Sequence, residues 1–210
     1  MSDLLPLFPL PSVVLFPGVF LPLHIFEPRY REMVADALQA DRLIGMVLLR
    51  EGWNEEYEGR PPVYDVGCSG VITHYDRLPD GRFNIILRGL DRFRIVGEDH
   101  DRAYRRAHVQ TLHDSDPTEA QRATLRTQRD QLEALLAQFE SGARVDTRTT
   151  SALNDVDLIN ALAQYLDLEP IEKQALLEQP AVPERATALI ELLEMKLILS
   201  KGTARSSHSH

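Results

Sequence analysis

Nucleophilic and metal chemistry need thiols, imidazoles and carboxylates at set spacings, and this chain supplies them sparsely. Cys68 is the single cysteine. Beside a histidine it could form a thiolate and base pair, but it stands inside the apolar run VGCSGVI, where an inert buried thiol is the expectation. The seven histidines, at 24, 74, 100, 108, 113, 208 and 210, show no ligand pairing beyond the loose His208 and His210. HExxH does not occur, so no metal site is expected. The Gly-Lys dipeptide of a phosphate-cradling P-loop is also missing, which argues against ATP hydrolysis. His24, between Leu23 and Ile25 in a stretch without charge, reads as a core histidine bonded to backbone rather than a catalytic base. Glu27 and Arg29 flank a helix start, where an acid suits the dipole and an ion pair is structural. No catalytic residue and no cofactor are expected: the chain does not read as an enzyme.

A different signal lies in REGWNEEYEGRPP, residues 50–62. It carries the only tryptophan, Trp53, with Tyr57 and four glutamates at 51, 55, 56 and 58. Exposed aromatics among acids suit contact with cationic, apolar peptide segments. Trp53, Tyr57, Glu55, Glu56 and Glu58 are therefore the candidate peptide-binding residues. The alternative, that Trp53 folds back onto the core, is at least as well supported.

The elements around these residues change period along the chain. Between Asp3 and Glu27 there is no formal charge with His24 neutral, but Pro6, Pro9, Pro11, Pro17 and Pro22 exclude a helix, membrane-spanning or other. The start Met1-Ser2-Asp3 lacks the basic residue of an export signal. Two short buried strands joined by a turn at Phe16 to Gly18 are expected, and cytoplasm is the expected location. A helix over EPRYREMVADALQA places Tyr30, Met33, Val34, Ala37 and Leu38 on one face. Strands follow at 41–50, 66–75, 82–89, 92–97 and 103–112, the second and third joined by a Pro-Asp-Gly hairpin.

From Asp116 the apolar period becomes helical. Asp116, Pro117 and Glu119 read as a capping signature, Leu125, Leu132, Leu136 and Phe139 as the buried stripe, and Gly142 as the stop. Helices are expected over DVDLINALAQYLDL, PIEKQALLEQ and PERATALIELLEMKLILS, the last opened by Pro183 and closed by Gly202. The organisation is a β-rich domain over 1–114, a helical domain over 115–200 and a disordered tail over 201–210.

Charge bounds the partners. The net charge is −9, and neither half is basic: residues 1–114 hold 13 basic and 17 acidic side chains, residues 115–210 hold 10 and 15. Nucleic-acid binders displace counterions with a positive footprint, so nucleic acid is disfavoured as a partner, a local arginine patch excepted. A lone cysteine forms no internal disulfide, and a globule of this size buries about 70% of its unfolded surface without needing one.

Taken together, LPLFPLPSVVLFPGVFLPLHIFEPRYREMV, IGMVLL, VGCSGVI, LPDGRFNIILRGLDRFRIV and PIEKQALLE resemble the amino-terminal, substrate-binding domain of the ATP-dependent Lon proteases. The resemblance extends to about residue 199. It implies an α+β fold: a PUA-like β-barrel with one intervening helix, then a C-terminal helical bundle. It also implies a stand-alone member without the AAA+ and protease domains, departing locally at Cys68, where the family typically has threonine. The function implied is a non-catalytic module binding unfolded or partly folded polypeptide segments, as an adaptor or quality-control factor. The alternative is an RNA-binding PUA-like protein using Arg102, Arg105 and Arg106.

Overall fold

The computed structural model describes residues 4–55, 59–114, 116–138 and 152–206, the last six as backbone only. The chain divides into two compact units, Met1–Asp114 with Glu169–Glu178, and Ser115–Leu168 with Gln179–His210. The fold is α+β.

The first unit holds β1 (Leu5–Leu10), β2 (Phe20–Ile25), α1 (Pro28–Gln39), β3 (Leu43–Leu48), β4 (Val66–Arg77), β5 (Phe83–Asp99) and β6 (Arg105–Leu112). They form one mixed six-stranded sheet in the order β2-β5-β4-β3-β1-β6, with a further pairing of β5 to β6. The ladder thus returns on itself through β5 and leaves β2 outside the ring. Strand β3 lies between parallel β1 and antiparallel β4. Its continuous apolar run is buried from Ile44 to Leu48, as a strand covered on both faces requires.

The proline-rich opening is the pair of strands expected. Between them Val14, Leu15 and Phe16 are buried and Gly18 turns at φ 77°, a conformation that suits glycine. Glu27 precedes α1 and Pro28 takes its first turn, where no amide is needed. Tyr30, Met33, Val34 and Ala37 form the buried stripe, and the Tyr30 ring packs on Phe8 with centroids 4.5 Å apart.

The two strands expected at 82–89 and 92–97 are one 17-residue strand, β5. The glycine that suggested a break, Gly89, marks a close approach instead: it exchanges backbone bonds of 2.9 Å with Gly18 and Val19, and a Cβ there would lie 2.1 Å from Phe16 O. The hairpin before β5 is as expected, with Gly81 at φ 82° and Leu78 N–H bonded to Arg82 O.

Helix α4 (Pro170–Leu177) belongs to this first unit. Gln174 Nε2 donates to Val66 O at 3.0 Å, and the buried Arg92 donates to Leu177 O at 3.1 Å. Arg92 also pairs with Asp114.

The second unit contains α2 (Glu119–Leu136), α3 (Asp155–Tyr165) and α5 (Val182–Ser206). The cap of α2 is Thr118, in a reciprocal capping box with Gln121, and not the expected Asp116. Its buried stripe is Leu125, Gln128, Leu132 and Leu135; Phe139 and Gly142 lie outside the described residues. Gln128 donates to Pro183 O and Thr187 Oγ1, both at 2.9 Å. Arg185, fully buried, donates to Asn160 Oδ1 at 2.7 Å. Helix α5 continues through Gly202, which was expected to stop it. One interior glycine costs about 1 kcal/mol, less than a formed helix can absorb. No helix among the described residues is long and apolar enough to cross a membrane.

Candidate functional site

Strand β2 is bonded to β5 on one side and ends the strand order on the other. Because side chains alternate across a strand, Phe20, Pro22 and His24 face outward while Ile25 is buried. Phe20 is 50% and the following Phe26 61% exposed. Register across the face forms rows: Pro22 beside Ile86 and His74, then His24 beside Asn84 and Asp76. These side chains enclose a shallow cavity of about 400 Å³, with Leu23, Ile85 and Ile86 as its apolar lining and His24, His74, Asp76 and Asn84 as its polar one.

The polar groups hold one another. Arg82 Nη1 donates to His24 Nε2 at 3.2 Å. A guanidinium only donates, so Nδ1 carries the imidazole proton and gives it to Asn84 Oδ1 at 2.7 Å. Asp80 accepts from Arg82 Nε at 2.7 Å, and the Arg82 backbone amide, with that side-chain bond, holds its carboxyl below the usual range. His24 is thus an exposed residue of an outer strand, contrary to the core position expected, because β2 has a solvent face. Both of its ring nitrogens are engaged by an amide oxygen and a guanidinium, neither of which is a nucleophile.

The other candidates fall elsewhere. Trp53 sits in a short 3₁₀ turn, Trp53–Glu55, and packs partly buried against the cluster of Leu5, Leu7, Val47, Leu49, Val63, Phe93 and Ala107. Tyr57, Glu56 and Glu58 lie outside the described residues, and Glu55 is described by its backbone alone. Cys68 is fully buried in β4, opposite Met46. Glu27 and Arg29 form the ion pair expected, at 3.0 Å. Arg102, Arg105 and Arg106 are matched by carboxylates: Arg105 with Glu98, Arg106 with Asp99, and Arg102 with Glu32 and Asp36. No group of histidines, cysteines and acids that could hold a metal occurs among the described residues.

The sequence profile of the ATP-dependent protease La (LON) substrate-binding domain matches residues 4–195. The chain belongs to the Lon substrate-binding domain family. Relatives include the Lon protease of Cytophaga hutchinsonii, 29% identical over 91% of this chain and 24% of that protein. The Lon protease of Escherichia coli (strain K12) is 26% identical over 93% of this chain and 25% of its own length. The chain spans about a quarter of the length of the curated relatives it matches. Among solved structures, the N-terminal domain of Mycobacterium avium complex Lon protease superposes with a TM-score of 0.68, at 20% identity, over 91% of this chain and 98% of that one. A Lon N-terminal domain protein from Xanthomonas campestris gives 0.62 at 23% identity, over 90% and 97%.

In this Lon-type domain the outward face of β2 is the surface that sequence reasoning did not single out. The alternation Phe20, Pro22, His24 was its available signal, hidden because the surrounding stretch is apolar at every position.

Proposed function

We propose that this domain binds extended polypeptide segments along the open edge of β2, with the ring of strands read as a PUA-like barrel that presents that edge. The observation that carries the reading is the row of outward side chains on a strand that ends the sheet order, Phe20, Pro22 and His24, continued by Phe26, beside a cavity with an apolar floor of Leu23, Ile85 and Ile86. An edge strand offers backbone donors and acceptors to an added strand. Aromatic anchors supply the affinity, since truncating one at a hot spot costs about 2 kcal/mol or more. Pro22 removes one backbone donor from the edge, which limits uncontrolled pairing while leaving its neighbours available. Binding of polypeptide substrates is what the family description supports. The acidic loop with Trp53, Tyr57, Glu55, Glu56 and Glu58 is kept as an accessory contact that steers basic segments. An adaptor or quality-control role would follow from holding unfolded chains for another protein.

Anisotropy of a fluorescently labelled, permanently unfolded polypeptide tests the reading. The Phe20→Ala, Phe26→Ala double variant should weaken binding by about thirtyfold or more, the equivalent of one lost anchor of about 2 kcal/mol. Affinity equal to the parent would remove β2 as the site. A loss confined to Trp53→Phe with Tyr57→Ala would move it to the acidic loop.

A further inference from the structure

A second cavity, of about 320 Å³, lies on the first unit and is lined by four arginines, Arg29, Arg60, Arg102 and Arg105, together with Tyr30 and Tyr104 and a few apolar residues. No carboxylate is among its described lining residues. We propose that this cavity binds an oxyanion, a phosphoryl group on a small molecule or side chain. Every basic residue before position 115 is an arginine, so the cavity presents guanidinium forks, which match phosphate oxygens geometrically as ammonium groups do not.

Each guanidinium is paired with a carboxylate from outside the lining, Arg29 with Glu27, Arg60 and Arg105 with Glu98, and Arg102 with Glu32 and Asp36, and the bonds of Arg60, Arg102 and Arg105 do not use all five donors of each. Arg60 gives one N–H to Asp99 O at 3.1 Å and one to Arg102 O at 3.4 Å, with Glu98 Oε2 3.8 Å from its Nη1, and a guanidinium carries five donors. Arg105 is anchored by Pro61 O at 2.6 Å and by Glu98. Arg29 donates from Nε to Glu27 Oε2 at 3.1 Å and lies over the Tyr30 ring, 4.7 Å from its centroid, so it lines the cavity as a carboxylate-paired wall. Arg102 approaches Glu32 and Asp36 at 3.6 and 3.7 Å, beyond hydrogen-bond reach, with 48% of its side chain exposed. Such an exposed, loosely made pair yields readily to a better anion. Tyr104 does not oppose one: burial, and the bond to Asp36, push its phenol up to about 12, so it stays neutral at physiological pH. Several forks around one space favour a tetrahedral dianion with three oxygens over a carboxylate with two. The volume exceeds that of bare phosphate and accommodates the group to which it is attached.

The inference does not depend on the polypeptide reading, since the two cavities share no lining residue. Isothermal titration of the full chain with inorganic phosphate, pyrophosphate, and a phosphoserine peptide against its unphosphorylated form tests it. Saturable binding of at least one phosphorylated probe is expected, with Arg102→Ala and Arg60→Gln each weakening it about tenfold or more. Arg122→Ala, on α2, should leave it unchanged. A phosphopeptide binding more tightly than pyrophosphate would name a modified side chain as the source; the reverse order would name a small phosphate ester. No saturable heat with any probe, or affinity retained in both cavity variants with the fold intact by circular dichroism, would overturn the assignment.

Discussion

Tyr104 donates its hydroxyl to Asp36 Oδ2 at 2.7 Å from a buried position. Ionising it would place a phenolate in a poorly hydrated site against a carboxylate, so desolvation first and Asp36 second raise its pKa to about 12 from 10.0. A raised folded-state value favours the protonated form. The stability it contributes is therefore complete below pH about 10 and is lost as pH rises toward about 12. In an ultraviolet alkaline titration, an ionisation step near pH 12 should be present, and Tyr104→Phe should abolish it. A titration unchanged by the substitution would refute the assignment. The residue scale also shows where type and neighbours fail to locate a side chain. His24 has apolar neighbours in sequence yet faces solvent, because burial on a strand follows parity rather than local hydropathy. Trp53, set among acids and glycine, packs on the core because a ring of that size gains more from apolar contact than from water.

Among the elements, β5 organises the first unit by pairing with β2, β4 and β6 along its length. It carries an extra residue between Gly89 and Arg92 against β4 and another between Ile95 and Gly97 against β6, irregularities of the kind that bend a strand from one partner to the next. Gly89 lies under the Phe16 turn, and any side chain there must displace backbone. Gly89→Ala should destabilise the domain by about 1–3 kcal/mol through overpacking, read as a lower urea midpoint. A midpoint equal to the parent would show that the turn yields freely. Helix α1 and the Pro-Asp-Gly hairpin were legible beforehand, since each is specified by residues within a few positions of one another. The length of β5 was not, because a glycine in a strand and a glycine in a turn look alike until the segment that crosses it is known.

The whole chain crosses between its two units after Asp114, after Leu168 and after Glu178. The first unit is therefore discontinuous in sequence, and the 169–178 segment returns to it through Gln174 and the Leu177 carbonyl. A fragment ending at residue 114 lacks the partner for Val66 O and leaves the buried Arg92 guanidinium without Leu177 O. Unmade bonds to buried polar groups cost about 1–3 kcal/mol each. The fragment should be less stable than the full chain, with reduced hydrogen-exchange protection in β4 and β5 around these residues. Adding a peptide of residues 169–178 in excess should restore part of it. Equal protection in fragment and full chain would show that α4 contributes nothing to the sheet.

By itself the sequence determined the α+β class, the kinked strands of the proline-rich opening, the helix positions after residue 116 and the Lon-type family, all of which rest on local propensity, proline geometry or contiguous motifs. Only the tertiary structure decided that β2 stands outside the ring with Phe20, Pro22 and His24 exposed, that α4 belongs to the sheet rather than to the helices flanking it in sequence, and that Arg29, Arg60, Arg102 and Arg105 line one cavity. Each of these depends on pairing between segments tens of residues apart. Side-chain pattern says which face of an element is buried, but the partner that buries it is chosen by register and chain reversal, which no local window contains.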